Sequence, residues 1–182
     1  GMYDYGAAND CLFRNNGDGT FKKMTAAQVG PMLNDQSQSF FCFSADYDND
    51  GRQELSFGYM VSANYVSSTW RYATDGTFVK STPIGIASRF AQRWWGDYDN
   101  DGWLDIVDNH NNGALGLRRN LGAGGFTDVS AALNMTTPVS FACTAWGDYD
   151  NDGWLDFLVA GYDAPNGLFH NNRDGTFTQI LN

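Results

Sequence analysis

Three nine-residue stretches carry most of the chemistry this chain can do. They are Asp46-Tyr47-Asp48-Asn49-Asp50-Gly51-Arg52-Gln53-Glu54, Asp97-Tyr98-Asp99-Asn100-Asp101-Gly102-Trp103-Leu104-Asp105, and an identical copy of the second from Asp148 to Asp156. Each follows D-x-D-x-D-G-x-x-D/E, with carboxylates at positions 1, 3, 5 and 9. Alternate side chains of a tightly wound loop converge on one point, and glycine at position 6 permits the reversal. The product is a cage of hard oxygens, suited to Ca²⁺ with its six to eight oxygen ligands at about 2.3–2.6 Å. The position-7 residues, Arg52, Trp103 and Trp154, are expected to add a backbone carbonyl.

The same donor set argues against other metals. Mg²⁺ keeps its waters and avoids all-protein cages. Neither Cys nor His occurs in the loops, against zinc or copper. An EF-hand places its last acid at position 12 between helices, whereas here the ninth acid opens apolar, strand-like sequence such as Leu104-Asp105-Ile106-Val107. A metal-free Asp/Asn/Gly turn is the alternative, but four carboxylates packed together repel without a cation. The expected sites are therefore Asp46, Asp48, Asp50, Arg52 and Glu54; Asp97, Asp99, Asp101, Trp103 and Asp105; Asp148, Asp150, Asp152, Trp154 and Asp156, about three Ca²⁺ per chain. In the first loop Glu54 offers a longer arm, and Arg52 brings a positive charge where the others have Trp.

Charge tells the same story. The 182 residues hold 21 acids and 11 bases, a formal net charge of −10, and 12 of the acids sit in the three loops. Three divalent cations would bring the total from −10 to −4. The acidity is local and argues against a nucleic-acid partner. At 42% hydrophobic the chain can bury a core, and no apolar run approaches a membrane helix of about 18 residues. Cys11, Cys42 and Cys143 are odd in number and share no metal spacing.

The loops must be held by a repeated scaffold, since they recur at intervals of 51 residues. A second marker follows each: Asp75-Gly76-Thr77-Phe78, Gly124-Gly125-Phe126 and Asp174-Gly175-Thr176-Phe177, with an early copy at Asp18-Gly19-Thr20-Phe21. Apolar runs of four to six residues flank each loop, for example Phe40-Phe41-Cys42-Phe43 and Leu155-Asp156-Phe157-Leu158-Val159. A third run, Leu12-Phe13-Arg14 or Leu168-Phe169-His170, precedes an Asp-Gly turn expected to be type I′, and a fourth begins at the marker Phe. Four antiparallel strands per repeat of 40 to 50 residues predicts an all-β fold of β-propeller blades. The expected organisation is one repeat domain over 1–182, with a partial blade at 1–25 and blades at about 37–81, 88–130 and 139–182. Three full repeats and one partial point to a homo-oligomer or to the remainder of a larger propeller, because an open blade edge leaves backbone unpaired.

Loop, following strand and the Leu-Phe-Arg-Asn-Asn-x-Asp-Gly-Thr-Phe hairpin together resemble FG-GAP or VCBS-type repeats, as in integrin α-subunit propellers and many bacterial secreted proteins. The resemblance covers nearly the whole chain. It implies a calcium-stabilised propeller, commonly extracellular or periplasmic, used for recognition, adhesion or scaffolding of a protein or glycan ligand. Family propellers close with about seven blades, more than this chain supplies.

Other residues have plain structural readings beside functional ones. Arg14, Arg71, Arg119 and His170 each precede their marker Phe by seven positions. They form either a basic ring for an anionic ligand or surface pairs with nearby aspartates, the second being the commoner arrangement. Trp95 and Trp146, two residues before their loops, read as inter-blade packing, while Trp103 and Trp154 are open to packing or to stacking on a sugar, which makes a lectin the alternative function. The chain reads as non-enzymatic: no G-x-S-x-G elbow or phosphate loop occurs. A propeller hydrolase or lyase would need a group outside the repeat register, for which His110 is the one candidate.

Overall fold

The computed structural model describes residues 11–34, 39–61, 64–81, 92–109, 115–135, 142–161 and 165–180. Strands β1 (Phe13–Asn15) and β2 (Phe21–Lys23) form a hairpin, followed by a short helix α1 (Ala26–Val29) and a 3₁₀ segment at Gly30–Asn34. Three four-stranded antiparallel sheets come next. The first blade is β3 (Ser39–Ala45), β4 (Glu54–Val61), β5 (Asn64–Tyr72) and β6 (Phe78–Ser81). The second is β7 (Gln92–Gly96), β8 (Asp105–Asn109), β9 (Leu115–Asn120) and β10 (Phe126–Asp128). The third is β11 (Ala142–Gly147), β12 (Asp156–Gly161), β13 (Gly167–Asn171) and β14 (Phe177–Ile180). Each strand pairs with its neighbour in sequence, so each sheet is a simple meander, the blade pattern the repeat predicts.

One acidic loop joins the first two strands of every blade, and the ninth acid is the first residue of the second strand: Glu54, Asp105 or Asp156. The first strands β3, β7 and β11 lie side by side. Blades pack face to face through aromatic and aliphatic residues. Tyr47 and Trp95 of adjacent blades stack with centroids 5.8 Å apart and cover buried Ile106 and Phe126. Between the second and third blades, Tyr98, Val107, Leu117, Phe157, Phe169 and Phe177 form the largest core, flanked by Trp94 and Trp146. Phe157 and Phe169 stack at 4.5 Å. A third cluster, Val29, Met32, Leu33, Phe57, Trp70 and Phe78, seats the 3₁₀ segment on the first blade, with Leu12 and Met24 beside it. Burying each such side chain contributes about 1.5–3 kcal/mol, which makes the blade interfaces the main source of stability.

The marker hairpins are wider than the type I′ turn expected from Asp-Gly. Asn16 N–H donates to Thr20 O at 3.0 Å, and Asn172 N–H to Thr176 O at 3.0 Å. Among Asp18, Asp75 and Asp174 none has positive φ, whereas the glycine that follows each does. Each aspartate instead accepts from the Thr two residues on, through its backbone N–H and its hydroxyl. These bonds favour the ionised form and hold all three carboxyls below the usual range. An Asx turn has replaced the tighter one.

Candidate metal centres

The three acidic loops are wound alike. The first aspartate accepts two backbone N–H groups: Asp97 Oδ1 from Asp101 at 3.0 Å and Oδ2 from Gly102 at 2.9 Å, with Asp46 and Asp148 repeating the pattern. The fifth-position carboxylate accepts the N–H of position 7, from Arg52 at 2.9 Å, Trp103 at 3.0 Å and Trp154 at 2.8 Å. The reversal needs left-handed backbone twice. Asn49, Asn100 and Asn151 adopt φ of 54°, 57° and 58°, and Gly51, Gly102 and Gly153 adopt 84°, 87° and 87°. Asn tolerates that region and Gly favours it, which explains the Asn-Asp-Gly order.

This winding brings carboxylate oxygens of Asp46, Asp48 and Asp50, of Asp97, Asp99 and Asp101, and of Asp148, Asp150 and Asp152 to within 4.8 Å of one another. The ninth acid stands behind each trio and ties the loop to the blade. Asp105 accepts Tyr98 N–H at 3.1 Å and Asn120 N–H at 2.8 Å; Asp156 accepts Tyr149 N–H at 3.2 Å and Asn171 N–H at 2.8 Å. Glu54 accepts Tyr47 N–H at 3.3 Å, but Tyr72 stands where the other blades have Asn, and Glu54 Oε1 is buried without a hydrogen-bond partner. Burial pushes the Asp105 carboxyl up to about 7 against the pull of its two N–H donors. Burial, then the charge of Asp48, pushes Glu54 up to about 7. Asp99 is raised by burial and then by Asp101, and its Oδ1 is also buried without a partner.

Two of the four register cations lie on these carboxylates. Arg119 Nε is 2.6 Å from Asp99 Oδ2, and its Nη2 donates to Asp101 Oδ2 at 3.1 Å. His170 Nδ1 lies 3.3 Å from Asp156 Oδ1 and 3.6 Å from Asp150 Oδ2, and Arg173 pairs with Asp152 at 2.6 Å. Surface pairing with nearby aspartates therefore accounts for Arg119, while His170 stands beside Asp150 and the buried Asp156. Among the described residues, neither Arg14 nor Arg71 reaches a carboxylate.

Packing also accounts for most of the tryptophans. Trp95 stacks on Tyr47, and Trp146 rests on Phe157, lies over Gly96 and donates its indole N–H to Trp94 O at 3.1 Å. Trp103 covers Gly122, where an added Cβ would stand 2.8 Å from the indole. Trp154 is half-buried, and exposed Arg52 has its guanidinium 3.5 Å from Tyr72 O. His110 lies outside the described residues.

The asparagine at the end of the third strand lies outside the acidic-loop motif yet joins the blades. Asn171 Nδ2 donates to Tyr98 O of the preceding blade at 2.8 Å and to Leu155 O of its own loop at 3.1 Å. Asn120 does the same to Tyr47 O at 2.9 Å and Leu104 O at 3.0 Å. Asn49 and Asn100 reach forward to Gly102 O at 3.0 Å and Gly153 O at 3.1 Å of the next blade. The available signal was spacing: Asn15, Asn120 and Asn171 each precede a marker Phe by six residues.

The donor set fits a hard divalent cation. Each loop converges three carboxylates, and two buried carboxylate oxygens, Asp99 Oδ1 and Glu54 Oε1, have no other bond to satisfy them. Among the described residues no helix is long and apolar enough to cross a membrane. The profile of the FG-GAP-like repeat matches residues 4–57, 97–159 and 148–181, more than half of the chain. No curated protein matches the sequence significantly.

Proposed function

The chain belongs to the FG-GAP-like repeat family, and from that premise we propose that it is a calcium-stabilised, non-catalytic recognition or scaffolding module of secreted type. The observation that carries the reading is the convergence of three carboxylates in each of three identically wound loops. One Ca²⁺ per loop would neutralise Asp46, Asp48 and Asp50; Asp97, Asp99 and Asp101; and Asp148, Asp150 and Asp152, with Glu54, Asp105 and Asp156 behind them. The ion's role here is mechanical. Each loop links the first two strands of its blade, and the first two loops also bond to the next blade, so relieving their repulsion firms these connections. Calcium titration by calorimetry on the EDTA-treated protein tests this. About three sites per chain and a rise in melting temperature on calcium addition are expected; no binding and an unchanged melting temperature would remove the metal from the reading.

A glycan ligand is the second reading. Its support is an open concavity of about 490 Å³ lined by Cys42, Phe43, Ser44, Arg93, Trp94, Trp95 and Trp146 along the first strands. Aromatic faces along such a concavity suit stacking on a sugar ring. A glycan array discriminates: hits lost in Trp94→Ala support it, and no hits leave a protein ligand.

A further inference from the structure

Neither Cys nor His lies in an acidic loop, so the loop residues alone argue against zinc. The fold changes this for the third loop by bringing an imidazole in from strand β13. Arg71, Arg119 and His170 share one register position, seven residues before their marker Phe. In the second blade Arg119 answers its loop as a cation, pairing with Asp99 and Asp101. In the third blade the same place holds a histidine, whose ring nitrogen can give an electron pair to a metal, as a guanidinium cannot.

His170 Nδ1, Asp150 and Asp156 bring one ligand atom each to within 4.8 Å of one another. Nδ1 lies 3.3 Å from Asp156 Oδ1 and 3.6 Å from Asp150 Oδ2. That nitrogen is buried and, among the described residues, has no hydrogen-bond partner despite its closeness to two carboxylates. A tetrahedral ion with bonds of about 2.0–2.1 Å holds its donors about 3.3–3.4 Å apart, close to the spacing found here. All three donors belong to one blade, just as the Arg119 contacts stay within the second blade, so the cluster is complete inside its own repeat.

The donors are also held from behind, as metal ligands need to be. Asp156 is 1% exposed, with Oδ1 accepting Asn171 N–H at 2.8 Å and Oδ2 accepting Tyr149 N–H at 3.2 Å. His170 is fixed in β13 by pairing with Thr178, and its ring meets Tyr149 edge-on at 5.9 Å. Ca²⁺ takes oxygen ligands and gains nothing from an imidazole. One imidazole with two carboxylates suits a first-row dication, Zn²⁺ foremost.

We propose that the third loop is a mixed nitrogen and oxygen site for a transition-metal dication of the Zn²⁺ type, held by Asp150, Asp156 and His170. Asp150 also belongs to the trio of Asp148, Asp150 and Asp152, so Zn²⁺ and Ca²⁺ compete at this loop. Arg173 already neutralises Asp152, which leaves Asp150 and Asp156 as the carboxylates nearest the ring. The proposal rests on reading the acidic loops as cation cages, but not on calcium being the ion in the other two.

Calorimetric titration of Zn²⁺ tests it, on protein stripped with EDTA, freed of chelator and alkylated at its exposed cysteines. One zinc ion per chain is expected, and its binding should remove one calcium site. His170→Ala should weaken zinc at least about tenfold while the number of calcium sites holds. If circular dichroism shows that alanine disturbs the blade, His170→Arg, which copies the second blade, takes its place. The chain has two histidines, so long-range ¹H–¹⁵N spectra resolve the His170 ring, whose Nδ1 signal should move with zinc and not with calcium. Zinc binding of equal strength in parent and variant overturns the proposal, as does a His170 Nδ1 signal that zinc leaves in place. Calcium in every loop with no zinc binding overturns it and leaves the calcium reading intact. Zinc on His170 with no calcium bound anywhere upholds it and removes calcium from the other loops.

Discussion

Asn171 and Tyr98 lie 73 positions apart, and a 2.8 Å hydrogen bond from the Asn171 amide to the Tyr98 carbonyl joins the third blade to the loop of the second. The same amide holds Leu155 O, while the Asn171 backbone N–H holds the buried Asp156 carboxylate. One side chain therefore fixes the acidic loop of its own blade and the position of its neighbour.

Replacing it should show. Asn171→Ala strips two carbonyls of their donor in a buried setting, and each such loss costs about 1–3 kcal/mol. We expect about 2–4 kcal/mol of destabilisation in urea unfolding. Asn172, exposed and bonded only to nearby threonines, is the control, with Asn172→Ala costing under about 1 kcal/mol. Equal effects at the two positions would mean that the bond to Tyr98 O is incidental.

Much of this architecture is legible before any coordinates. The loops, the marker Phe residues and the strands between them repeat in sequence, and a repeat betrays itself by spacing. What the spacing does not reveal is which group reaches across a blade boundary. Asn171 and Tyr98 carry no sequence pattern that pairs them; only the packing of one sheet on another brings them together. Likewise the segment from Ala26 to Asn34 is too short for helical periodicity, and Val29 and Met32 become core residues because the first blade covers them. The hairpin turns depart from the type I′ expectation for a chemical reason. The carboxylate of Asp18, Asp75 or Asp174 binds Thr, which outweighs the backbone preference of the Asp-Gly pair.

Asp99 should respond to substitution with opposite signs in two solutions. It is partly buried beside Asp101, burial and that charge both raise its pKa, and one of its oxygens has no partner. Asp99→Asn removes a repelling charge, so in EDTA the melting temperature should rise or hold. In excess calcium it removes a ligand, and the melting temperature should fall by several degrees relative to the parent. Scanning fluorimetry in the two buffers reads both arms, and a fall of the same size in each would show that the residue has no part in binding the ion.

Arg119 competes for the same carboxylates. Its guanidinium already neutralises Asp99 and Asp101, partly exposed and therefore worth about 1 kcal/mol or less. A cation entering that loop must displace or share this contact. Arg119→Gln should therefore tighten calcium binding at the second loop by a few-fold, while lowering stability slightly in EDTA. Calorimetry resolves the two effects, and weaker calcium binding in the variant would instead make Arg119 a support for the site.

The pH dependence of stability should reverse when calcium is added. Glu54 and Asp105 both titrate near 7 in the folded, metal-free chain, above their ordinary values of 4.5 and 3.8, because burial disfavours the charged form. Folding therefore favours their protonated forms. The associated stability is complete at low pH, below the ordinary carboxylate values, and is lost as pH rises through about 7. In EDTA, urea midpoints should accordingly fall between pH 5 and pH 8. Calcium binds only the ionised carboxylates, so in its presence the midpoint should hold or rise over the same interval. Glu54→Gln and Asp105→Asn should each flatten the EDTA profile, since neither amide can ionise. A profile in EDTA that rises with pH, or one unchanged by both substitutions, would place the governing titration elsewhere in the chain.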